Sequence, residues 1–232
     1  MKLHIAHGSP NCRKVLAVIA QLGLDVEMVV LDPAVAEQKR PAFLEINPNG
    51  KVPALEDGEL RLWESDAIMA YLCTKHGRTS LYPEDPAARA DVTRWLCWDL
   101  AHFGNHLATT LFERVFKPFA GAGEPDEDVV RRSLEAFGPY AQVLDDTLRD
   151  RAFVCGESVT IADFALASQL GITRYGRVDL APYPNIRAWM RRLDEEPGWS
   201  ATAIPGPMQA QLDTLFGARA SLVQSGATPA SS

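Results

Sequence analysis

An α/β domain followed by an all-α domain is the fold that this sequence predicts. Strand-like segments alternate with helical ones over about the first 78 residues, and almost no strand signal follows them. Between the two parts lies a stretch with two prolines and no hydrophobic period, which is typical of a linker. We therefore expect an α/β domain over residues 1–78, a linker over 79–86, a helical domain over 87–217 and a disordered tail over 218–232.

Two kinds of pattern organise the predicted α/β domain. Residues 2–6 and 26–31 have the pattern of strands on either side of a helical segment, and strands joined by a helix pair in parallel. An Asp-Gly pair at 57–58 lies between two apolar runs, which predicts an antiparallel hairpin. The expected order is strand 2–6, helix 12–22, strand 26–31, a weak helix at 37–46, hairpin 52–63 and a helix from 64 to 77.

The composition excludes several classes of function. With 232 residues and 47% apolar content, the chain is long enough to form two packed cores. A net charge of −7 and a pI near 5.3 argue against nucleic acid as a partner. No apolar run is long enough to span a membrane, and the N-terminus turns polar too early for a signal peptide. The four cysteines form neither a CxxC pair nor a zinc pattern, so we expect a cytoplasmic protein with free thiols.

The second domain contains one motif with a clear structural role. Helical patterns cover residues 87–116, 126–149, 161–175, 186–193 and 208–216. The sequence from Thr160 to Asp163 fits a capping box, in which the Asp163 carboxylate accepts a hydrogen bond from the N–H of Thr160. We therefore assign Asp163 to folding and not to catalysis.

A stripe of aromatic side chains lies on one helix face of this domain. Trp95, Trp98, His102 and His106 share the face by their spacing. The two histidines, four residues apart, have the spacing of metal ligands, but the sequence offers no third ligand. We expect no metal, and we interpret the stripe as core or subunit interface.

The stretch from Gly8 to Val15 is the strongest candidate for a functional site. A predicted strand runs into it and an amphipathic helix leaves it. The first turn of a helix has unpaired backbone N–H groups and the positive end of the helix dipole. Here that turn lies beside the Ser9 hydroxyl and the Cys12 thiol, which makes it suited to holding an anion or a thiolate.

Two further motifs follow this first one along the chain. The three motifs are Ser9-Pro10-Asn11-Cys12-Arg13-Lys14-Val15, Asn47-Pro48-Asn49-Gly50-Lys51-Val52-Pro53-Ala54-Leu55 and Glu64-Ser65-Asp66-Ala67-Ile68. In this order and spacing they resemble those of the cytosolic glutathione S-transferases. The resemblance covers about residues 1–216. It implies a thioredoxin-like N-terminal domain, a C-terminal helical bundle, glutathione as cosubstrate and a homodimer. Within the family it points to a bacterial, serine-type class that is theta-like or nu-like.

The resemblance also assigns residues to glutathione binding. Val52 before a cis Pro53 corresponds to the backbone that pairs with the peptide part of glutathione. The turn at Glu64 and Ser65 corresponds to the one that grips the γ-glutamyl group, where N–H groups suit a carboxylate and Glu64 suits an ammonium. Candidates for the glycyl carboxylate are Lys51 and, more weakly, Lys39 or Gln38.

Three residues are candidates for activating the glutathione sulfur. A thiol with its ordinary pKa of about 8.5 is only about 3% ionised at pH 7, and a downward shift of about 2 units makes most of it thiolate. One hydrogen bond to a charged group is worth about 1.5–3 kcal/mol, so a single hydroxyl and a helix dipole supply that shift. Ser9 is the first choice, because it matches the catalytic serine of the serine-type classes. Asn11 is the second choice and Cys12 the third.

Three functions are compatible with these motifs. The leading one is conjugation of the glutathione thiolate to a small hydrophobic electrophile, with Phe103, Phe112 and Phe116 reaching the electrophile pocket. The second is glutathione-dependent reduction of disulfides or peroxides, using Cys12 or bound glutathione itself. The third is a non-catalytic interaction module built on the same fold.

Overall fold

Strands and helices alternate at the start of the chain and helices alone follow, in a computed structural model that describes residues 1–77, 80–171 and 173–203. The strands are β1 (Lys2–Ile5), β2 (Glu27–Val30), β3 (Ala54–Asp57) and β4 (Leu60–Trp63). The helices among and after them are α1 (Pro10–Leu22), α2 (Pro41–Leu44) and α3 (Ser65–Lys75). The helices of the second part are α4 (Pro86–Trp98), α5 (Gly104–Leu111), α6 (Lys117–Phe119), α7 (Glu127–Thr147), α8 (Ile161–Leu170), α9 (Thr173–Gly176), α10 (Pro184–Glu195) and α11 (Pro197–Ser200).

A mixed four-stranded sheet in the order β2-β1-β3-β4 forms the centre of the first part. β1 pairs in parallel with β2, as expected for strands joined by a helix, and antiparallel with β3. β3 and β4 form the predicted hairpin around Gly58, whose φ of 60° suits a tight turn. The predicted fold class, a thioredoxin-like α/β domain followed by helices, is therefore confirmed.

Apolar packing joins the two parts through α1. This helix contacts α3 within the α/β domain and contacts α8 and α11 of the helical domain. α8 is buried along nearly its whole length, because it lies at the centre of the helical domain. The run from α4 to α6 is one long helical segment with two π-helical turns, Asp99–Phe103 and Phe112–Phe116. Such turns widen a helix locally and often occur near functional sites.

The capping box at the start of α8 is confirmed, and it is more extensive than the sequence predicts. Asp163 is fully buried, and its Oδ2 accepts hydrogen bonds from the Thr160 N–H at 2.8 Å and the Thr160 hydroxyl at 2.9 Å. Its Oδ1 accepts from the Val154 N–H at 2.8 Å and the Trp189 indole N–H at 2.9 Å. Burial raises the pKa of Asp163, and these four donors lower it. The residue therefore has a folding role.

The predicted domain limits fall between described helices. α3 ends at Lys75 and α4 begins at Pro86, on either side of the predicted linker. The limits 1–78, 79–86 and 87–217 remain predictions. The predicted helix at 208–216 and tail at 218–232 lie outside the described residues. Over the part of the chain that the structure describes, no helix has the length and apolarity needed to cross a bilayer.

Candidate active site

Ser9 stands at the junction of β1 and α1. The preceding Gly8 has a φ of 76°, which turns the chain sharply at the end of the strand. Ser9 then adopts extended backbone angles and caps α1, its Oγ accepting a hydrogen bond from the Cys12 N–H at 3.3 Å. The side chain is half-buried, and the acceptor that its hydroxyl meets among the described residues is the Cys12 thiol, a weak one. The Ser9 proton is therefore available to an acceptor at the positive end of the helix dipole.

Cys12 lies one turn further along α1, on its buried side. It is 1% exposed and belongs to the apolar core. Burial raises the pKa of this thiol, although contacts with the Ser9 side chain and the Ala6 backbone partly offset the effect. A reactive cysteine needs the opposite conditions, an accessible thiol with a lowered pKa. The structure therefore disfavours the sequence-based prediction of Cys12 as a catalytic group.

The turn before β3 presents backbone groups to the same region. Its shape is set by the buried Asn47, whose side-chain amide donates to the Lys51 carbonyl at 2.6 Å while its Oδ1 accepts from the Asn49 N–H at 3.0 Å. The Val52–Pro53 peptide bond is cis, as the resemblance implies. Neither the N–H nor the C=O of Val52 forms a hydrogen bond with another residue that the structure describes. Both groups are thus available to an extended peptide.

The start of α3 lies against the start of α1, although neither Glu64 nor Ser65 is among the residues that line the cavity at Ser9. Glu64 has a φ of 70°, an unusual value for a residue other than glycine, and such values cluster at functional sites. Ser65 is 5% exposed, and its hydroxyl lies 3.5 Å from Oδ1 of Asn11 on α1. This contact brings the N-termini of α1 and α3 together. Their unpaired N–H groups converge on one region, an arrangement suited to anionic groups.

The two predicted lysines differ in position. Lys51 lines the cavity beside Ser9 and is exposed at its edge. Lys39 is also exposed, but its ammonium donates to the Asn49 carbonyl at 3.2 Å, next to the turn that carries Gly50. Lys51 therefore belongs to the cavity lining, and the Lys39 ammonium supports the adjoining turn at Asn49 and Gly50.

A cavity of about 430 Å³ lies between the two domains and opens at Ser9. From the α/β domain it is lined by the strand-helix turn, the segment after β2 and the turn before β3. From the helical domain it is lined by apolar side chains on one helical run and by a tyrosine on the facing helix. These residues are Leu111, Val115, Phe116 and Tyr175. The site therefore combines a polar wall with an apolar wall.

Only one of the three phenylalanines predicted for this pocket lines it. Phe116 does so, whereas Phe103 is fully buried in the core, with its ring 5.2 Å from that of Trp98 and 5.1 Å from that of Phe137. Phe112 is 52% exposed and lies outside the lining. The structure therefore places neither Phe103 nor Phe112 in the lining. Phe112 follows the lining residue Leu111, and one residue along a helix rotates a side chain by about 100°. The inward positions are Leu111 and Val115.

Sequence reasoning missed several lining residues. Leu111 and Val115, four residues apart, belong to the apolar stripe of their helix, and that spacing is a signal that could have identified them. His7 lines the cavity from the turn before Ser9, and Tyr175 lines it from α9. Neither has a local sequence pattern that marks it, because only the packing of the domains brings them to the cavity.

The histidine pair has a packing environment. The rings of His102 and His106 both stack on Tyr140 of α7, at centroid distances of 5.3 and 5.6 Å. Among the described residues, no group of three possible metal ligands comes together. The pair is thus part of the aromatic contact between the α4–α5 run and α7.

A thioredoxin-like sheet, a hydroxyl-capped helix start, a cis-proline turn and a helical domain with an apolar wall define a thiol- or peptide-binding protein of two domains. The model of the glutathione S-transferase N-terminal domain matches residues 3–80, and that of the C-terminal domain matches residues 127–192. The chain belongs to the glutathione S-transferase family.

Individual relatives agree with this assignment. A probable glutathione S-transferase of rice, Oryza sativa subsp. japonica, is 34% identical over 200 residues, which are 85% of this chain and 93% of the rice protein. The structure of a delta-class glutathione transferase from Nilaparvata lugens matches with a TM-score of 0.76 at 32% identity, covering 87% of this chain and 92% of that one. The structure of glutathione S-transferase I bound with lactoylglutathione matches with a TM-score of 0.77 at 32% identity, covering 87% and 97%.

Proposed function

We propose that this protein is a glutathione transferase that conjugates the glutathione thiolate to a small hydrophobic electrophile. The observation that carries the proposal is the Ser9 hydroxyl, which is fixed as the cap of α1, lines the cavity and meets only the weakly accepting Cys12 thiol as an acceptor among the described residues. A fixed donor at the positive end of a helix dipole stabilises a thiolate. The enzyme itself forms no covalent bond with the substrate.

Three parts of the α/β domain hold glutathione in this proposal. The free backbone groups of Val52 pair with the peptide, beside the cis Pro53. The N–H groups at Ser65 take the γ-glutamyl carboxylate, and Glu64 takes the ammonium. Lys51 faces the glycyl carboxylate, with Lys39 a weaker candidate. These anchors place the sulfur at Ser9.

Catalysis then follows from ionisation and orientation. A hydrogen bond from Ser9 to the sulfur, worth about 1.5–3 kcal/mol, lowers the thiol pKa by about 1–2 units. The apolar wall formed by Leu111, Val115 and Phe116 holds the electrophile beside the thiolate. A carbon–sulfur bond forms, and the leaving group departs with the electron pair or the product takes up a proton. Bringing the two reactants together in one orientation supplies much of the rate.

The serine-type class and the homodimer belong to the same proposal. Ser9, in the position of the catalytic serine, favours a serine-type class of the theta-like or nu-like kind, and the sequence motifs suggest a bacterial one. The relatives reported above include a plant and an insect protein. The observation that supports a dimer is the apolar surface of β4, an edge strand of the sheet. Its Leu60 and Trp63 are 39% and 38% exposed, and a second copy of the chain would bury them.

The test is a titration of the glutathione thiol in complex with wild type and with Ser9→Ala. Thiolate absorbance is followed against pH at saturating glutathione. We expect the variant to keep its glutathione affinity within about threefold, and the pKa of the bound thiol to rise by about 1–2 units. Asn11→Ala is the matched control, because Asn11 is the second candidate and lies two residues away.

Each outcome assigns the activating group. A raised thiol pKa in Ser9→Ala alone supports Ser9. A raised pKa in Asn11→Ala alone transfers the role to Asn11. An unchanged pKa in both variants, or no binding of glutathione to wild type, contradicts the proposed mechanism.

A further inference from the structure

A buried ionisable cluster lies where the two domains meet, and the mechanism above makes no use of it. We call it the Lys14–Asp66–Asp99 cluster. Lys14 is on α1, Asp66 is in the first turn of α3, and Asp99 follows α4. Lys14 and Asp99 are both 0% exposed. The Lys14 ammonium donates to Oδ1 of Asp66 at 2.6 Å, with the Asp66 side chain 11% exposed.

Asp99 is buried with fewer donors than an ionised carboxylate needs. The Gln169 amide of α8 approaches it as a donor, but neither of its carboxylate oxygens has a described partner in normal hydrogen-bond geometry, and Oδ2 of Asp66 lacks one as well. By contrast, the buried Asp163 accepts four hydrogen bonds. Buried polar groups are nearly always paired, so carboxylate oxygens in this state indicate a missing donor. A proton on Asp99 supplies that donor.

The helix around Asp99 leaves space for this side chain. Asp99 begins the π-helical turn, and Gly104 donates its N–H to the Asp99 carbonyl to close it. A methyl group at Gly104 would come within 2.9 Å of Oδ1 of Asp99. The absence of a side chain at Gly104 therefore leaves room for the Asp99 carboxyl group where the two domains meet. Any other residue at position 104 would displace that carboxyl group.

The charges facing Asp99 explain why it binds a proton near neutral pH. Lys14 faces it from α1 and Asp66 faces it from α3, while the neutral amide of Gln169 approaches it from α8. Burial, first, and the negative charge of Asp66 raise the pKa of Asp99 to about 7, although Lys14 and Gln169 lower it. With the proton bound, the cluster is neutral, one ammonium facing one carboxylate. Without it, two buried carboxylates compete for Lys14.

The cluster is directly connected to the glutathione site. Asp66 follows Ser65, which takes the γ-glutamyl carboxylate in the proposed function. Lys14 is on the first turns of α1, the helix that Ser9 caps. Glutathione carries two carboxylates and one ammonium, hence a net negative charge even with its thiol protonated. A negative charge on Asp99 would therefore weaken glutathione binding.

We propose that Asp99 is a positioning residue of the glutathione site, which takes up a proton when glutathione binds and thereby keeps Lys14 paired with Asp66 at the start of α3. This inference rests on the proposed function. As the pH rises through the neutral range, the affinity for glutathione is expected to decrease because Asp99 loses its proton, and this effect is separate from the ionisation of the glutathione sulfur.

The experiment measures proton uptake with S-methylglutathione, whose sulfur cannot ionise. Calorimetric titrations in buffers of different ionisation enthalpy give the number of protons bound with the ligand. For wild type at pH 7.5 we expect an uptake of about 0.3–0.5 proton, the value for a group whose pKa rises by about 0.5–1 unit from 7. The same shift weakens binding about three- to sevenfold between pH 6 and pH 8.5.

Asp99→Asn is the decisive variant, because the amide has the shape of the protonated acid and cannot titrate. We expect it to bind S-methylglutathione at pH 8.5 about as tightly as wild type does at pH 6, and to lose the proton uptake. Asp128→Asn, at an exposed aspartate on α7, is the matched control and should keep the wild-type uptake. All histidines, His7 in the cavity included, are unchanged in both variants, so the difference between them reports Asp99.

The outcomes separate this inference from the proposed function. Equal proton uptake by wild type and Asp99→Asn overturns the inference and leaves the transferase proposal standing. Failure of wild type to bind S-methylglutathione overturns both. If Asp99→Asn does not fold, the carboxyl carbon resonance of Asp99 is followed against pH in carbon-13-labelled wild type. A pKa in the neutral range that rises when S-methylglutathione binds supports the inference. The absence of a titration in that range contradicts the inference.

Discussion

The starts of α1 and α8 are both capped by hydroxyl residues, yet their hydrogen bonds are distributed differently. At α8, the carboxylate of Asp163 is 0% exposed and accepts four hydrogen bonds of 2.8–2.9 Å. At α1, Ser9 accepts one of 3.3 Å and lines a cavity, and the acceptor that its proton meets among the described residues is the weak one of the Cys12 thiol. A cap whose hydrogen-bonding groups all have partners within the protein stabilises the fold. A cap that keeps a group available to the cavity is able to bind a ligand.

The largest effect that follows from this comparison is on stability. Asp163→Ala leaves the Val154 and Thr160 N–H groups and the Trp189 indole without their acceptor inside the core. We expect the free energy of unfolding to fall by about 3–5 kcal/mol, measured by chemical denaturation. Asp126→Ala, which removes the exposed cap of α7, should cost only about 1 kcal/mol. Equal losses for the two variants would contradict the comparison.

We expect the start of α3, like the start of α1, to bind glutathione and not only to stabilise the fold. Ser65→Ala removes the hydroxyl beside the proposed γ-glutamyl carboxylate. We expect the KM for glutathione to rise about tenfold or more, with kcat changed much less, because a hydrogen bond to a charged group is lost. The control is Thr74→Ala, an exposed hydroxyl on the same helix. A KM that both variants leave unchanged would remove Ser65 from the glutathione site.

A smaller effect is expected at the apolar wall. Phe116 and Phe112 are about equally exposed, at 51% and 52%, but only Phe116 lines the cavity. Phe116→Ala should raise the KM for an apolar aromatic electrophile about fivefold, since part of a phenyl contact worth about 1 kcal/mol is lost. Phe112→Ala should leave it unchanged. The KM for glutathione serves as the internal control, and a reversed order of the two variants would contradict the assignment.

The smallest effect is expected at Cys12. Because this thiol is buried and its pKa is raised, Cys12→Ala should keep the kcat/KM for conjugation within about twofold. Disulfide reduction should be assayed on the same preparations. Loss of reduction with conjugation intact would show that Cys12 has a redox role, contrary to its position in the core.

Local sequence patterns predicted the helix starts well. The helix start that follows Ser9, the capping box at Asp163 and the hairpin at Gly58 each depend on residues within a few positions of one another, so their geometry is visible in the sequence. The order of strands and helices followed from hydrophobic periods for the same reason. The cis bond before Pro53 was expected from the resemblance, not from a local pattern.

The direction of side chains was predicted less well. Phe103, Phe112 and Phe116 were chosen because they are large and apolar, but the sequence does not show which way a helix faces its neighbours. The structure turns Phe103 into the core and Phe112 toward solvent. His7 and Tyr175 reach the cavity from segments without a motif of their own.

The sequence alone determined the fold class, the family resemblance and the three segments that surround the site, because these depend on composition, periodicity and short-range turn chemistry. Only the tertiary structure decided that Cys12 is buried, and that Lys14 pairs with Asp66 across 52 residues. It also buried Asp99 near them, with the Gln169 amide approaching it but with neither carboxylate oxygen in a well-formed hydrogen bond to a described residue. The physical reason is that burial and ionisation depend on neighbours from distant parts of the chain, which only the packing of α1, α3 and α8 brings together.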